Sequence, residues 1–214
     1  MLKIKTFAVN ILQENCHILS DETGETVIVD CGAYFNEDFT AIANYIEKNG
    51  LRPVRHLLTH GHFDHIFGAK WLKETYNLLP EMTETETTVY KQQPQQIVQF
   101  LHRNVPLELP QSGTTFTAGD ILHFGSHALR VIATPGHTPG GVCFYEESEG
   151  VLLSGDSLFR GSIGRCDLPG GNEQDLLHSL RENILSLPSA TRVFPGHGPE
   201  TTIAFEAANN PYLA

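Results

Sequence analysis

Thr59-His60-Gly61-His62-Phe63-Asp64-His65 follows directly on the strand-like run from Val54 to Leu58 and packs three imidazoles and a carboxylate into residues 60–65. If the extended conformation continues past that run, His60 and His62, two residues apart, point to the same side. Asp64 and His65 come where the pattern turns helical, which aims them at a neighbouring point. Such a stretch can supply two adjacent cations, the His pair serving one and the Asp-His pair the other. With residue frequencies of a few per cent each, His-x-His-x-Asp-His arises by chance in roughly one such chain in ten thousand. The motif therefore reads as a metal site and not as surface histidines that happen to cluster.

Working outward, the same strand-then-ligand arrangement recurs along the chain. Val27-Ile28-Val29 leads to Asp30, and Val131-Ile132-Ala133-Thr134-Pro135-Gly136 leads to His137. Val151-Leu152-Leu153-Ser154-Gly155 leads to Asp156, and Val193-Phe194-Pro195-Gly196 leads to His197. If these strands and the one before His60 share a layer and run the same way, all five groups converge at one edge of it. A rigid core positions functional loops at such an edge. Pro-Gly-His occurs twice, and the echo in both halves suggests a duplicated architecture.

Length and charge narrow the class. With 214 residues, 40% of them hydrophobic, the chain suits a single domain, 1–214, able to bury a two-layer core. The formal charge of −11 argues against nucleic acid, whose phosphates demand clustered Lys and Arg. No apolar run approaches a membrane span, and Met1 to Val9 reads as a strand and not as a signal peptide. Cys16, Cys31, Cys143 and Cys166 share no CxxC spacing and read as reduced thiols of a cytoplasmic protein.

In chain order, strands are expected over Ile4–Val9, Cys16–Leu19 and Thr26–Val29, with a turn at Asp21–Gly24. Asn36 is placed to cap a helix to Lys48, and a second helix is expected from Asp64 to Tyr76. Leu79–Gln111, rich in Thr, Glu and Gln and interrupted by Pro94, reads as a partly helical excursion able to overhang the site. Strands follow at Ile121–Phe124, Ala128–Ala133, Val142–Tyr145, Val151–Leu153 and Arg192–Phe194. Gly161–Gly171 reads as a loop, Glu173–Leu187 as an amphipathic helix and Glu200–Asn210 as a closing helix or turn.

Taken together, the Asp30 turn, THGHFDHIFG, TPGHTPGG, LLSGDSLF, GSIGRCDLPGG and FPGHGPETT resemble the metallo-β-lactamase superfamily, and more narrowly its glyoxalase II-like hydrolases. The resemblance covers nearly the whole chain, with the motifs in the family's order. It implies an α/β fold, a four-layer αββα sandwich of two packed sheets with helices on both outer faces. It also implies that one metal takes His60, His62 and His137, that a second takes Asp64, His65 and His197, and that Asp156 bridges them. The longer glyoxalase II enzymes carry a helical C-terminal extension that helps hold glutathione, and 1–214 holds no counterpart of it. The lactamase branch typically has cysteine or serine where Asp156 stands, so the resemblance points to thioesters and away from antibiotics.

The expected cofactors are two divalent ions, zinc first, with iron or manganese also suited to a mixed N/O ligand set. Metal-activated water is the expected nucleophile, oriented by Asp64. A small-molecule hydroxyacyl thioester, of the S-lactoylglutathione type, suits a site with no obvious protonated acid, because a thiolate with a pKa of about 8.5 leaves unaided. Arg165 is the candidate anchor for a substrate carboxylate, against the alternative that it pairs with Asp167 to hold the loop. Asp30 reads as an orienting acceptor for a ligand histidine rather than as a ligand. His17, His56, His102, His123, His127 and His178 read as surface or interfacial histidines, and Cys166 as a free thiol. Two other enzyme classes stay open: an iron-dependent persulfide dioxygenase using His60, His137 and Asp156, and a metallohydrolase of another ester-like substrate. That dioxygenase family often has Cys two residues before the Arg of its GRxD motif, where this chain has Ile163. A non-catalytic scaffold is disfavoured, because an oxygen-rich open site costs stability.

Overall fold

The computed structural model describes residues 1–102 and 105–213. Its strands, numbered in chain order, form two six-stranded sheets. The first holds β1 (Lys3–Val9), β2 (Glu14–Ser20), β3 (Glu25–Val29), β4 (Arg52–Leu57), β5 (Pro80–Thr83) and β6 (Thr115–Phe116), paired in that order. The second is built from β7 (Ile121–Phe124), β8 (His127–Ala133), β9 (Val142–Glu146) and β10 (Val151–Gly155), with β13 (Arg192–Pro195) and β14 (Thr201–Thr202) added beyond β10. Between them in sequence, β11 (Leu158–Phe159) and β12 (Ser162–Ile163) make a small separate hairpin. The helices are α1 (Asn36–Lys48), α2 (Phe63–Ile66), α3 (Ala69–Tyr76), α4 (Glu86–Leu101), α5 (Glu173–Ser179) and α6 (Ile203–Asn209).

Side-chain alternation sorts the strands into four layers. Val27, Val29 and Leu57 of the first sheet meet Val131, Phe144 and Leu153 of the second in one inter-sheet core. Their neighbours point the other way. Ile18 and Ile28 pack under Ile42 and Ile46 of α1 and Leu72 of α3, while Cys143, Tyr145 and Leu152 pack under Leu176 of α5 and Ile203 of α6. Both faces of each central strand are thus covered, which is why these segments read as continuous apolar runs and not as alternating ones. Each fully buried Leu, Ile or Val contributes about 1.5–3 kcal/mol. The result is the expected αββα sandwich.

The five ligand-delivering strands occupy two sheets instead of one. β3 and β4 run parallel in the first, and β10 and β13 run parallel in the second. β8 has the direction of β10, because both are antiparallel to the intervening β9. The convergence survives because the two sheets present their carboxyl ends at a common rim. The topological echo is plain: β1-β2-β3 antiparallel then β4 parallel, matched by β8-β9-β10 antiparallel then β13 parallel.

Four local expectations are corrected. Asn36 is the first helical residue of α1, not its cap. Phe35 holds the cap position, and Asp38 supplies the acceptor, its Oδ2 receiving the N–H groups of Tyr34 and Phe35 at 3.0 Å each. The helix expected over 64–76 is broken after Ile66, where the Gly68 N–H turns aside to the Cys31 carbonyl at 2.8 Å. The excursion at 79–111 contains an interior strand, β5, and α4, which continues through Pro94. The helix expected over 173–187 widens after Ser179 into a π-helical stretch, Leu180–Ile184.

Candidate metal centre

The chain leaves β4 at Leu57, bends at Thr59 and is extended again at His62, which has φ −68° and ψ 150° and opens α2. His60 and His62 come together as expected, with ring centroids 4.8 Å apart. The Pro-Gly turn after β8 brings His137 to the same point, its Nε2 lying 2.9 Å from His62 Nδ1. His137 Nδ1–H donates to the Arg165 carbonyl at 2.7 Å, so Nε2 keeps its lone pair and faces inward. His60 Nε2 is buried without a partner among the described residues.

The first turn of α2 carries Asp64 and His65 to a neighbouring point, where the Pro-Gly turn after β13 delivers His197. His197 Nε2 lies 3.2 Å from Asp64 Oδ2, while its Nδ1–H donates to the Leu12 carbonyl at 3.1 Å. His65 Nδ1–H donates to Asp30 Oδ2 at 3.0 Å, which leaves His65 Nε2 buried and facing inward, without a hydrogen bond among the described residues. In each set, His60-His62-His137 and Asp64-His65-His197, the three ligand atoms lie within 4.8 Å of one another. Asp156 stands between them. Its Oδ1 is 3.3 Å from His65 Nε2, and its Oδ2 is 3.6 Å from His137 Nε2 and 3.7 Å from His197 Nε2. The approach is close enough to exclude a side chain beside it: a Cβ at Gly196 would come within 2.7 Å of His65 Cε1.

The donor set fits two divalent cations. His60 Nε2 is buried with no partner among the described residues, and His65 Nε2 and Asp156 Oδ1, also buried, face only each other, at 3.3 Å and without hydrogen-bond geometry. Each such group costs about 1–3 kcal/mol of desolvation unless something binds it. For His60 and His62 the protonation states agree. Burial and the charges of neighbouring His65 and His137 hold His60 well below the usual histidine range. Burial and His137 hold His62 at about 4. Both rings stay neutral and able to ligate. Burial pulls His65 down, but Asp156, Asp30 and Asp64 outweigh it and push its pKa well up. Burial raises Asp64 and Asp156, yet His65 leads the charges that bring both carboxyls below their usual range. Concentrated carboxylate charge around His65 is what a cation would neutralise.

Asp30 lies near His60 and His65, but its oxygens are occupied. They accept from the Thr59 N–H at 2.8 Å, the Thr59 hydroxyl at 2.6 Å and the His65 ring. It orients a ligand, and its left-handed backbone (φ 48°) turns the chain off β3 to do so. Arg165 lies beside the site with its guanidinium forked onto Asp167, Nε and Nη2 each donating at 2.7 Å. A cleft of about 460 Å³ opens over both ligand sets, walled by Leu12, Phe63, Phe100, Leu168 and Pro169, with Gln96 beside them. The excursion at 79–111 does overhang the site, through α4.

Two buried carboxylates carry no motif and escape a sequence reading. Glu14 Oε2 accepts the Gly32 N–H at 3.0 Å, and the Glu14 backbone bridges to His197, joining the sheets at the rim. Glu86 of α4 accepts from the two histidine loops. The remaining histidines divide. His102, His123 and His178 are exposed, as expected. His17, His56 and His127 are interior instead: His17 bonds to Thr6 and Pro195, His127 to Glu146, and His56 to nothing among the described residues. Cys16, Cys31 and Cys143 are buried free thiols, and Cys166 is partly exposed.

A family model described as the metallo-beta-lactamase superfamily matches residues 9–197. Hydroxyacylglutathione hydrolase GloC of Haemophilus influenzae is 32% identical, over 99% of this chain and 98% of its own. Among solved structures, BLEG-1, titled a B3 metallo-beta-lactamase, superposes with a TM-score of 0.90 at 35% identity, covering 99% of each chain. TTHA1623, solved in a di-iron-bound form, superposes with a TM-score of 0.86 at 36% identity, over 98% of this chain and all (100%) of that one. The described residues contain no helix long and apolar enough to cross a membrane.

Proposed function

The chain belongs to the metallo-beta-lactamase superfamily, and from that premise we propose that it is a dinuclear metal-dependent hydrolase cleaving a hydroxyacyl thioester. The observation that carries this reading is the Asp156 carboxylate, shared between two three-residue donor sets on the floor of one cleft. Divalent ions held by the two sets, zinc first and iron or manganese next, would supply Lewis acidity and lower the pKa of water toward neutrality.

The protein's own residues do the rest. Asp156 faces both sets and fixes their separation. Asp64 lines the cleft and accepts a hydrogen bond from water, orienting it toward the bound carbonyl. The Arg165 carbonyl holds the His137 tautomer, and Asp30 holds that of His65. Among the described lining residues there is no Lys, Tyr or Cys to protonate a leaving group. A thiolate needs none, its conjugate acid having a pKa of about 8.5, whereas an amine does. The likeness to the H. influenzae hydroxyacylglutathione hydrolase supports the same substrate class. Arg165 is the proposed contact for a substrate carboxylate, in competition with Asp167.

One sample tests the reading. Protein isolated from cells is analysed for metals, then assayed for thioester hydrolysis, β-lactam hydrolysis and oxygen uptake with a persulfide. About two ions per chain with thioester turnover is the expected result. One iron with oxygen uptake would replace it with the dioxygenase reading, for which His60, His137 and Asp156 suffice. β-Lactam turnover without thioester turnover would align the chain with BLEG-1.

A further inference from the structure

Helix α4 begins with Glu86, and Gln93 stands two turns further along the same face; both are 0% exposed. Glu86 Oε2 accepts the Gly61 N–H at 2.8 Å, between the ligands His60 and His62. Its Oε1 accepts the Gly140 N–H, also at 2.8 Å, three residues past His137. Thr83 at the end of β5 secures the second contact, its hydroxyl donating to the Gly140 carbonyl at 2.9 Å. Gln93 Oε1 accepts the Phe63 N–H at 3.0 Å, where one half of the centre passes into the other. The backbones themselves are in contact. A Cβ on Gly61 would sit 2.8 Å from Tyr90 N, and one on Gly140 would sit 2.9 Å from Glu86 N.

We propose that Glu86 is the positioning residue of the three-imidazole half: its carboxylate ties the His60–His62 loop to the His137 loop and so sets that half's affinity for its cation. The proposal rests on the ligand assignment given above. One carboxylate accepts both amide N–H groups at once, and such charge-assisted bonds are about twice as strong as neutral ones. A glutamine of the same size has a single acceptor oxygen and would turn its own NH₂ against the other N–H. The opposite half is held by different groups, His65 by Asp30 and His197 by the Leu12 carbonyl. Glu86 therefore acts on one half selectively, whereas a residue needed only for the fold would affect both alike.

Single-half backgrounds provide the test. His197→Ala leaves the three-imidazole half, and His137→Ala leaves the Asp64-His65 half. Zinc affinity of each is measured by chelator competition, with and without Glu86→Gln. The expected result is a loss of at least about tenfold in the His197→Ala background and less than about twofold in the His137→Ala background, the scale known for groups supporting metal ligands. Equal losses in both backgrounds, or none in either, would overturn the proposal. Thr83→Val, which removes the hydroxyl's bonds to the Gly140 carbonyl and from the Glu86 N–H without changing side-chain shape, must show the same selectivity at smaller size, and it decides the matter if Glu86→Gln fails to fold. A His197→Ala protein that holds no zinc before Glu86 is altered overturns the ligand assignment itself, and the brace with it.

Discussion

Arg165 acts through two different parts of itself. Its carbonyl fixes the His137 ring, while its side chain, 52% exposed, has its guanidinium forked onto Asp167. An exposed pair of this kind contributes at most about 1 kcal/mol, so a substrate carboxylate can compete for it. Arg165→Ala is expected to keep both ions and to lose about 1.5–3 kcal/mol in kcat/KM on carboxylate-bearing thioesters only. Asp167→Ala, which frees the fork, should lower KM for those same substrates. Equal losses for Arg165→Ala on charged and uncharged thioesters would show the side chain to be structural. His56 is a different case, buried with neither ring nitrogen partnered among the described residues. Burial holds its pKa at about 4 against a usual 6.5. The unfolded chain therefore binds a proton near pH 6.5 that the folded chain refuses until about 4. Stability is complete above that window and drains away as pH falls through it. His56→Leu removes both the unmet polar atoms and the acid penalty. The metal-free variant should be about 1–3 kcal/mol more stable at pH 7 in urea, with a larger advantage at pH 5. Other histidines titrate equally in both proteins, so the difference isolates His56. A variant with no gain and an unchanged pH slope would mean that the ring has a partner.

Among the elements, those whose burial is apolar and local were the readable ones. The strands before Asp30, His60, His137, Asp156 and His197 announce themselves because each is covered on both faces, and the turn residues behind them mark where each stops. α4 was not readable as a brace. Its working face holds Glu86 and Gln93, polar residues that look solvent-exposed until the loops they serve are folded beneath them. Pro94 looked like an interruption, yet the helix runs through it, held on one side of the proline by Gln93 and on the other by buried Ile97. Equally hidden was the assignment of the ligand strands to one sheet or the other, since strand direction at a shared rim does not reveal which sheet owns a strand. The start of α1 gives a direct check on this kind of error. Asp38 Oδ2 accepts three N–H groups, from Tyr34, Phe35 and, at 3.2 Å, Asn10, so it ties the helix to the β1–β2 turn. Asp38→Ala should cost about 1–3 kcal/mol and several degrees of Tm in a chain of this size. Asn36→Ala, at the residue the sequence suggested as cap, should stay within about 0.5 kcal/mol of the parent. Thermal melts that ranked the two the other way would restore Asn36 as the cap.

At the scale of the molecule, the candidate ligands are divided between the halves. His60, His62, Asp64 and His65 follow β4 of the first sheet, whereas His137, Asp156 and His197 follow β8, β10 and β13 of the second. Between their ends the sheets are joined by side-chain packing, at the far end by Asp21 and Glu25 accepting from the β7–β8 turn, and at the rim by short bridges such as Glu14 to His197 and the Asn15 N–H to the Gly196 carbonyl at 2.7 Å. Each ion, drawing donors from both sheets, would pin them together. Binding of that kind stabilises the folded state by mass action, about 2.7 kcal/mol per ion at a hundredfold excess over Kd. For a chain of this length that corresponds to roughly 5–10 °C in Tm per ion. Chelation should therefore lower Tm in an amount that grows with the free zinc concentration of the reference sample. The variants should then rank by what each ligand serves. His197→Ala, which strips one set, should keep about half of the zinc-dependent increment. Asp156→Ala, which takes an oxygen from each set, should keep almost none, together with almost no hydrolysis, while its metal-free Tm stays close to that of metal-free parent. A full increment in Asp156→Ala would place both ions beyond its reach and refute the shared carboxylate. A larger loss in His197→Ala than in Asp156→Ala would make the second half, and not the bridge, the main tie between the sheets.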